Sequence, residues 1–178
     1  EMLDGRVKTL HPKVHGGLLY LRDKQEHIEQ IKAHGIEAID MVVVNLYPFQ
    51  KTVSNPDVRL EEAIENIDIG GPSMLRSAAK NYRSVAVMTS PQQYEGILTE
   101  LKSNNGGLSE KTLAVLATRV FRLTSEYDNN IFDYLSNTLD PSAEPKEEEK
   151  SIFPKNLILK FEKIQDLRCG ENPHQQAA

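Results

Sequence analysis

The stretch Ile39-Asp40-Met41-Val42-Val43-Val44-Asn45-Leu46 decides the fold. Its apolar residues run without alternation, the pattern of a strand covered on both faces, and such strands belong to parallel sheets flanked by helices. Downstream, residues 61–67 and 72–82 read as helices, the second entered through Gly70-Gly71-Pro72, and residues 84–89 read as a second short apolar strand. Residues 91–102 follow with Tyr94, Ile97, Leu98 and Leu101 at helical spacing. The order strand, helix, strand, helix predicts an α/β domain. Upstream, residues 23–33 carry charge at most positions with Ile28 and Ile31 on one face, a surface helix that Gly35 stops. Beyond the Asn104-Asn105-Gly106-Gly107 turn, Ser109 is placed to cap a long helix whose stripe is Leu113, Leu116, Val120, Leu123, Tyr127, Ile131 and Tyr134.

The remainder of the chain sets the organisation. Residues 1–137 are expected to form the α/β domain and 138–153, rich in Pro and charge with no apolar stripe, a solvated linker. Residues 154–178 would open a second domain, with Leu157, Leu159 and Phe161 alternating as in a half-buried strand. The polar, cation-rich opening, residues 1–13, contains no secretory leader, and the sequence is read as a fragment of a longer protein. The 21 basic and 26 acidic residues leave a formal charge of -5, and with no Trp and 6% aromatics there is no electrostatic case for nucleic acid. No apolar run reaches the roughly 18 residues a membrane span needs. The lone Cys169 excludes an internal disulfide and a multi-cysteine zinc site, so a reducing cytoplasm is the expected home. His11 and His15 stand four apart, but without a neighbouring Glu, and with Pro12 between them, no metal is expected.

Four constellations can carry chemistry. Gly5-Arg6-Val7-Lys8-Thr9-Leu10-His11-Pro12 gathers a guanidinium fork, a mobile ammonium and a hydroxyl, a set that holds an anion and steadies a developing oxyanion. Asn45-Leu46-Tyr47-Pro48-Phe49 lies where the first strand ends, and the carboxyl ends of strands in open α/β sheets are where ligands bind. Asp68-Ile69-Gly70-Gly71-Pro72-Ser73 sets a carboxylate before a glycine turn that leads into a helix N-terminus. Lys80 lies near the end of that helix. Taken singly, each also has a plain reading: a basic surface loop, core aromatics at a strand end, a tight connection, and a lysine favoured by the helix dipole.

In this order, the motifs Gly-Arg-Val-Lys-Thr-Leu-His-Pro, Asn-Leu-Tyr-Pro-Phe, Ile-Asp-Ile-Gly-Gly-Pro and Ala-Ala-Lys-Asn closely resemble the cyclohydrolase domain of the bifunctional AICAR transformylase/IMP cyclohydrolase family. Arg168-Cys169-Gly170-Glu171-Asn172-Pro173-His174-Gln175 is similar to the opening signature of that family's transformylase domain. The resemblance implies a methylglyoxal-synthase-like parallel sheet flanked by helices, here without its opening strands and phosphate loop. It implies closure of formyl-AICAR to IMP with loss of water in de novo purine synthesis, with no metal or cofactor. Formyl tetrahydrofolate would serve only the transformylase portion, which this chain lacks. Carried over by motif, Lys8, Tyr47, Asp68 and Lys80 are the catalytic groups, Lys80 as proton donor or acceptor. Arg6, Thr9, Asn45, Leu46, Ile69, Gly70 and Gly71 bind substrate, and Arg168 and Cys169 belong to the aminoimidazole ribotide contact. Cys169 stands where the family has Tyr, which puts that contact in doubt. The partners implied are the ribotides formyl-AICAR, AICAR and IMP and, in the complete protein, a second copy of itself. Two alternatives share the fold. A methylglyoxal synthase would not explain residues 168–175, and a non-catalytic nucleotide-binding module would not explain Lys80 together with Asp68 and Tyr47.

Overall fold

In the computed structural model the described residues are 2–139, 161, 163–172 and 174–177. The chain divides into two units, Glu1–Asp140 and Pro141–Ala178.

In the first unit, β1 (Met41–Val43) and β2 (Ala86–Met88) pair in parallel, Met41 opposite Ala86 and Val43 opposite Met88. Backbone bonds from Ala86 N–H to the Asp40 carbonyl and from Val44 N–H to the Met88 carbonyl continue the ladder at either end. Around this pair lie α1 (Pro12–Leu19), α2 (Gln25–Ala33), α3 (Phe49–Val53), α4 (Leu60–Glu65), α5 (Gly70–Lys80), α6 (Tyr94–Ser103) and α7 (Glu110–Leu139). The α/β class read from the sequence stands. Leu18 of α1, Leu75, Ala78 and Ala79 of α5, Val42 and Val87 of the strands, and Leu116, Ala117 and Val120 of α7 form one core.

The short apolar strand β2 is covered, with Val85, Ala86, Val87 and Met88 all buried. Covering of both faces, expected of residues 39–46, fails for β1. Val42 is buried, but Val43 is 47% exposed, because β1 has β2 as its sole ladder partner among the described residues. The expected opening loop also ends early. His11 caps α1, its Nδ1 accepting from Lys13 N–H at 3.1 Å, and Pro12 fills the first helical turn, where its missing N–H is no loss. The cap occupies one of the two histidines weighed above as a metal pair. The other, His15, has its Nδ1 2.9 Å from Ser77 Oγ on α5.

Local chemistry explains the remaining elements. Ser109 Oγ accepts from Thr112 N–H, as the cap reading expects, and the Glu100 carboxylate of α6 accepts from Ser109 N–H and the Thr112 hydroxyl. Those donors favour the ionised form and lower the Glu100 pKa. The turn that precedes this cap places Asn105 and Gly106 at positive φ. Leu116, Val120 and Tyr127 of the predicted α7 stripe are buried, joined by Ala117 and Thr124, which a count of large apolar residues overlooks. α7 reaches Leu139, so Thr138, read as linker, is helical.

In the second unit, Leu167 and Ala177 form an antiparallel bridge, and Gly170 N–H donates to the Gln175 carbonyl. The linker from 140 to 153 and most of the strand expected at 157–162 lie outside the described residues. Phe161, of that strand, is exposed.

Candidate active site

Three segments of the first unit enclose one cleft of about 520 Å³. The first begins as a tight turn: Met2 and Val7 form an antiparallel bridge, and Leu3, Asp4 and Gly5 all take positive φ, with glycine at the largest value, 90°. Arg6, Lys8 and Thr9 follow and line the cleft before His11 starts α1. The second segment leaves the carboxyl end of β1 and supplies Val44, Asn45 and Tyr47. The third runs from the end of α4 into α5 and supplies Glu65, Asp68, Ile69, Gly70 and Gly71.

The carboxylate is held in place. Asp68 Oδ1 accepts from Gly71 N–H at 2.8 Å, doing the work of a cap for α5, whose N-cap residue Ile69 has no side-chain bond to offer. Asp68 N–H in turn donates to the Tyr127 hydroxyl at 2.7 Å. Both glycines are required by close approach. A Cβ on Gly70 would lie 2.5 Å from Thr9 Oγ1, and one on Gly71 would lie 2.5 Å from Asp68 Oδ2. Gly71→Ala is therefore expected to displace the Asp68 carboxylate and destabilise the domain by about 1–3 kcal/mol, the usual range for overpacking. Urea unfolding alongside an assay of IMP formation checks both effects, and a variant of unchanged stability would mean that the loop yields.

Electrostatics at the rim are mixed. Arg6 Nε lies 3.4 Å from Glu65 Oε2, both side chains 63% exposed, so this pair contributes at most about 1 kcal/mol and yields readily to a competing anion. Asn45 Nδ2 donates to the Tyr94 hydroxyl at 3.3 Å, and Tyr47 is exposed. Two ties brace α1, and so the cation loop before it, against α5: the His15–Ser77 contact, and Asn81 Nδ2 donating to the carbonyls of Leu18 and Tyr20.

Of the residues singled out in the sequence, Arg6, Lys8, Thr9, Asn45, Tyr47, Asp68, Ile69, Gly70 and Gly71 all line this cleft. Leu46 does not; it packs against the core. Nor does Lys80, which is exposed in the last turn of α5, and an 11-residue helix places it about 15 Å from Gly70. Arg168, exposed, and Cys169, half-buried, belong to the second unit. Glu65 and Tyr127 were not singled out as site residues. Neither carries a local signal, since each is brought to the site by contacts distant in sequence.

A model of the AICARFT/IMPCHase bienzyme matches residues 78–178, and a model of the MGS-like domain matches residues 1–73. The chain belongs to the AICARFT/IMPCHase bienzyme family. Its first part is thus an MGS-like domain, and its function is of the purine-biosynthetic kind that defines this bienzyme family. Among solved structures, one titled "Crystal structure of ForH" is similar, with a TM-score of 0.67 and 33% identity over 76% of this chain and 69% of that chain.

Proposed function

We propose that the cleft closes the purine ring, converting formyl-AICAR to IMP and water. The observation that carries this reading is the convergence of Lys8, Tyr47 and Asp68 with Arg6, Thr9 and Asn45 on one cleft in a member of this family. The carboxamide nitrogen attacks the formyl carbon, a C–N bond forms, and the formyl oxygen takes the electron pair. Asp68 accepts the proton that the weak amide nucleophile must lose. The Lys8 ammonium and Tyr47 hydroxyl stabilise the developing oxyanion, which takes up a proton; the former formamide nitrogen then gives up its own proton and forms the C=N bond as the hydroxyl, protonated in turn, leaves as water. Arg6 and Thr9 hold the ribotide phosphate, Arg6 exchanging Glu65 for it. Binding both reacting ends of one substrate in contact supplies much of the acceleration of a ring closure.

The proton-transfer role of Lys80 rests on the family resemblance alone, so Asp68 is the group assigned that work in the cleft. Formyl transfer from formyl tetrahydrofolate, a homodimeric assembly and a cytoplasmic location are proposed for the complete bienzyme, with Arg168 contributing to its second site. Among the described residues no helix is long and apolar enough to cross a membrane.

The test is to supply formyl-AICAR to the complete bienzyme and to this chain alone, from which little or no turnover is expected without the phosphate loop, and to follow IMP by chromatography. Turnover of dihydroxyacetone phosphate instead would favour a methylglyoxal synthase, and IMP binding without turnover a non-catalytic module. Arg6→Ala is expected to raise the KM for formyl-AICAR roughly tenfold with little change in kcat, because a phosphate contact is equally present in ground and transition states. A matching fall in kcat would place Arg6 in the chemical step.

A further inference from the structure

Tyr127 is a buried ionisable residue that the proposed chemistry leaves unused. It lies on α7, distant in sequence from every segment of the cleft, and is 8% exposed. Its hydroxyl oxygen accepts the Asp68 N–H bond at 2.7 Å, and its ring meets Phe49 edge-on, with centroids 6.3 Å apart and planes at 68°. Phe49 begins α3 two residues after Tyr47, and its own amide donates to the Tyr47 carbonyl at 2.8 Å. One side chain of α7 therefore touches the roots of two cleft walls.

We propose that Tyr127 is a positioning residue for the ring closure, fixing the Asp68 backbone through its hydroxyl and the Tyr47 segment through its contact with Phe49. This rests on the function proposed above. Asp68 has two anchors, its carboxylate on Gly71 N–H and its amide on Tyr127, and together they set the direction in which the other carboxylate oxygen points. Without the second, the segment between α4 and α5 can swing about the first. Burial raises the Tyr127 pKa and, with the neighbouring Asp68 and Asp128 charges, outweighs the lowering by the Asp68 N–H bond, so the phenol stays neutral. A displacement of about 1 Å at a proton-transfer group can cost on the order of a hundredfold in rate while binding is spared.

Tyr127→Phe keeps the ring and its contact with Phe49 and deletes only the acceptor. Its kcat for IMP formation should fall about tenfold or more while the KM for formyl-AICAR stays within about twofold. Made in an Asp68→Asn background, the same change should cost nothing further, since the role acts through Asp68. A brace of purely structural value would instead slow both backgrounds equally, and that result, or an unchanged kcat, overturns the proposal. Should Tyr127→Phe fail to fold, amide hydrogen exchange in the wild-type chain decides. Protection of the Asp68 amide comparable with the amides of α5 supports the role, and exchange at the rate of an open loop overturns it. A complete bienzyme that protects this amide but forms no IMP would overturn the proposed function and, with it, the catalytic meaning of the brace.

Discussion

Asp68→Asn is expected to lower the kcat for IMP formation by roughly a hundred- to ten-thousandfold, the span associated with loss of a positioned general base. The substitution isolates the chemistry. Asn retains a side-chain oxygen that can accept from Gly71 N–H, now made at 2.8 Å, and leaves the backbone bond to Tyr127 intact, so α5 keeps its cap and the loop its brace. What it loses is the capacity to take a proton. KM should change little and thermal stability by less than about 1 kcal/mol, because no buried partner is orphaned. Asp68→Ala should add a loss of about 1 kcal/mol for the missing cap. Steady-state kinetics and urea unfolding of both variants give the comparison. Near wild-type turnover in Asp68→Asn would move the proton to another group and reopen the case for Lys80.

The second large effect concerns stability. Phe49 is 1% exposed and meets the rings of both Tyr127 and Tyr134 edge-on, at 6.3 and 5.9 Å. Phe49→Ala should cost about 3–5 kcal/mol, the range for a large aromatic deleted from a packed core. Small domains have only about 5–15 kcal/mol of stability in all, so the urea midpoint should drop steeply. The change removes more than area. α3 is a five-residue helix with no side-chain cap, and Phe49 is its one buried side chain, so little else ties it to α7. Phe49→Leu should recover part of the loss but not the edge contacts, each worth about 0.5–1.5 kcal/mol beyond burial. A cost below about 1 kcal/mol for Phe49→Ala would show that the cavity collapses and that α3 is held elsewhere.

Much of the site was legible because its residues lie in short runs. Arg6, Lys8 and Thr9 fall within four consecutive positions, Asn45 and Tyr47 follow the apolar run of β1, and Asp68 to Gly71 leads into a helix. Each run enters the cleft as a piece of backbone, and the rule that ligands gather at the carboxyl ends of strands brings the pieces to one place. The long helix α7 was legible for a different reason: its stripe repeats over 30 residues, enough for the periodicity to dominate any single position. The short helix α3 was not, since five residues hold little more than one turn and its one strong determinant is Phe49 packing on a helix far along the chain. α1 carried a readable signal in Pro12 behind His11, but the surrounding cations made the segment look like loop.

By itself, the sequence determined the α/β order, the turn at Asn105 and Gly106, the Ser109 cap and the set of side chains offered to the cleft, because each depends on residues within a few positions of one another. Tertiary structure alone decided that Val43 stays half exposed, that Arg6 meets Glu65, that Leu46 and Lys80 stand away from the cleft, and that Tyr127 holds Asp68. These depend on which elements become neighbours, and a hydrogen bond spanning 59 residues has no period, cap or turn residue to announce it. It exists because α7 and α5 pack on each other and both on β2, a consequence of burying the whole core at once rather than of any local preference.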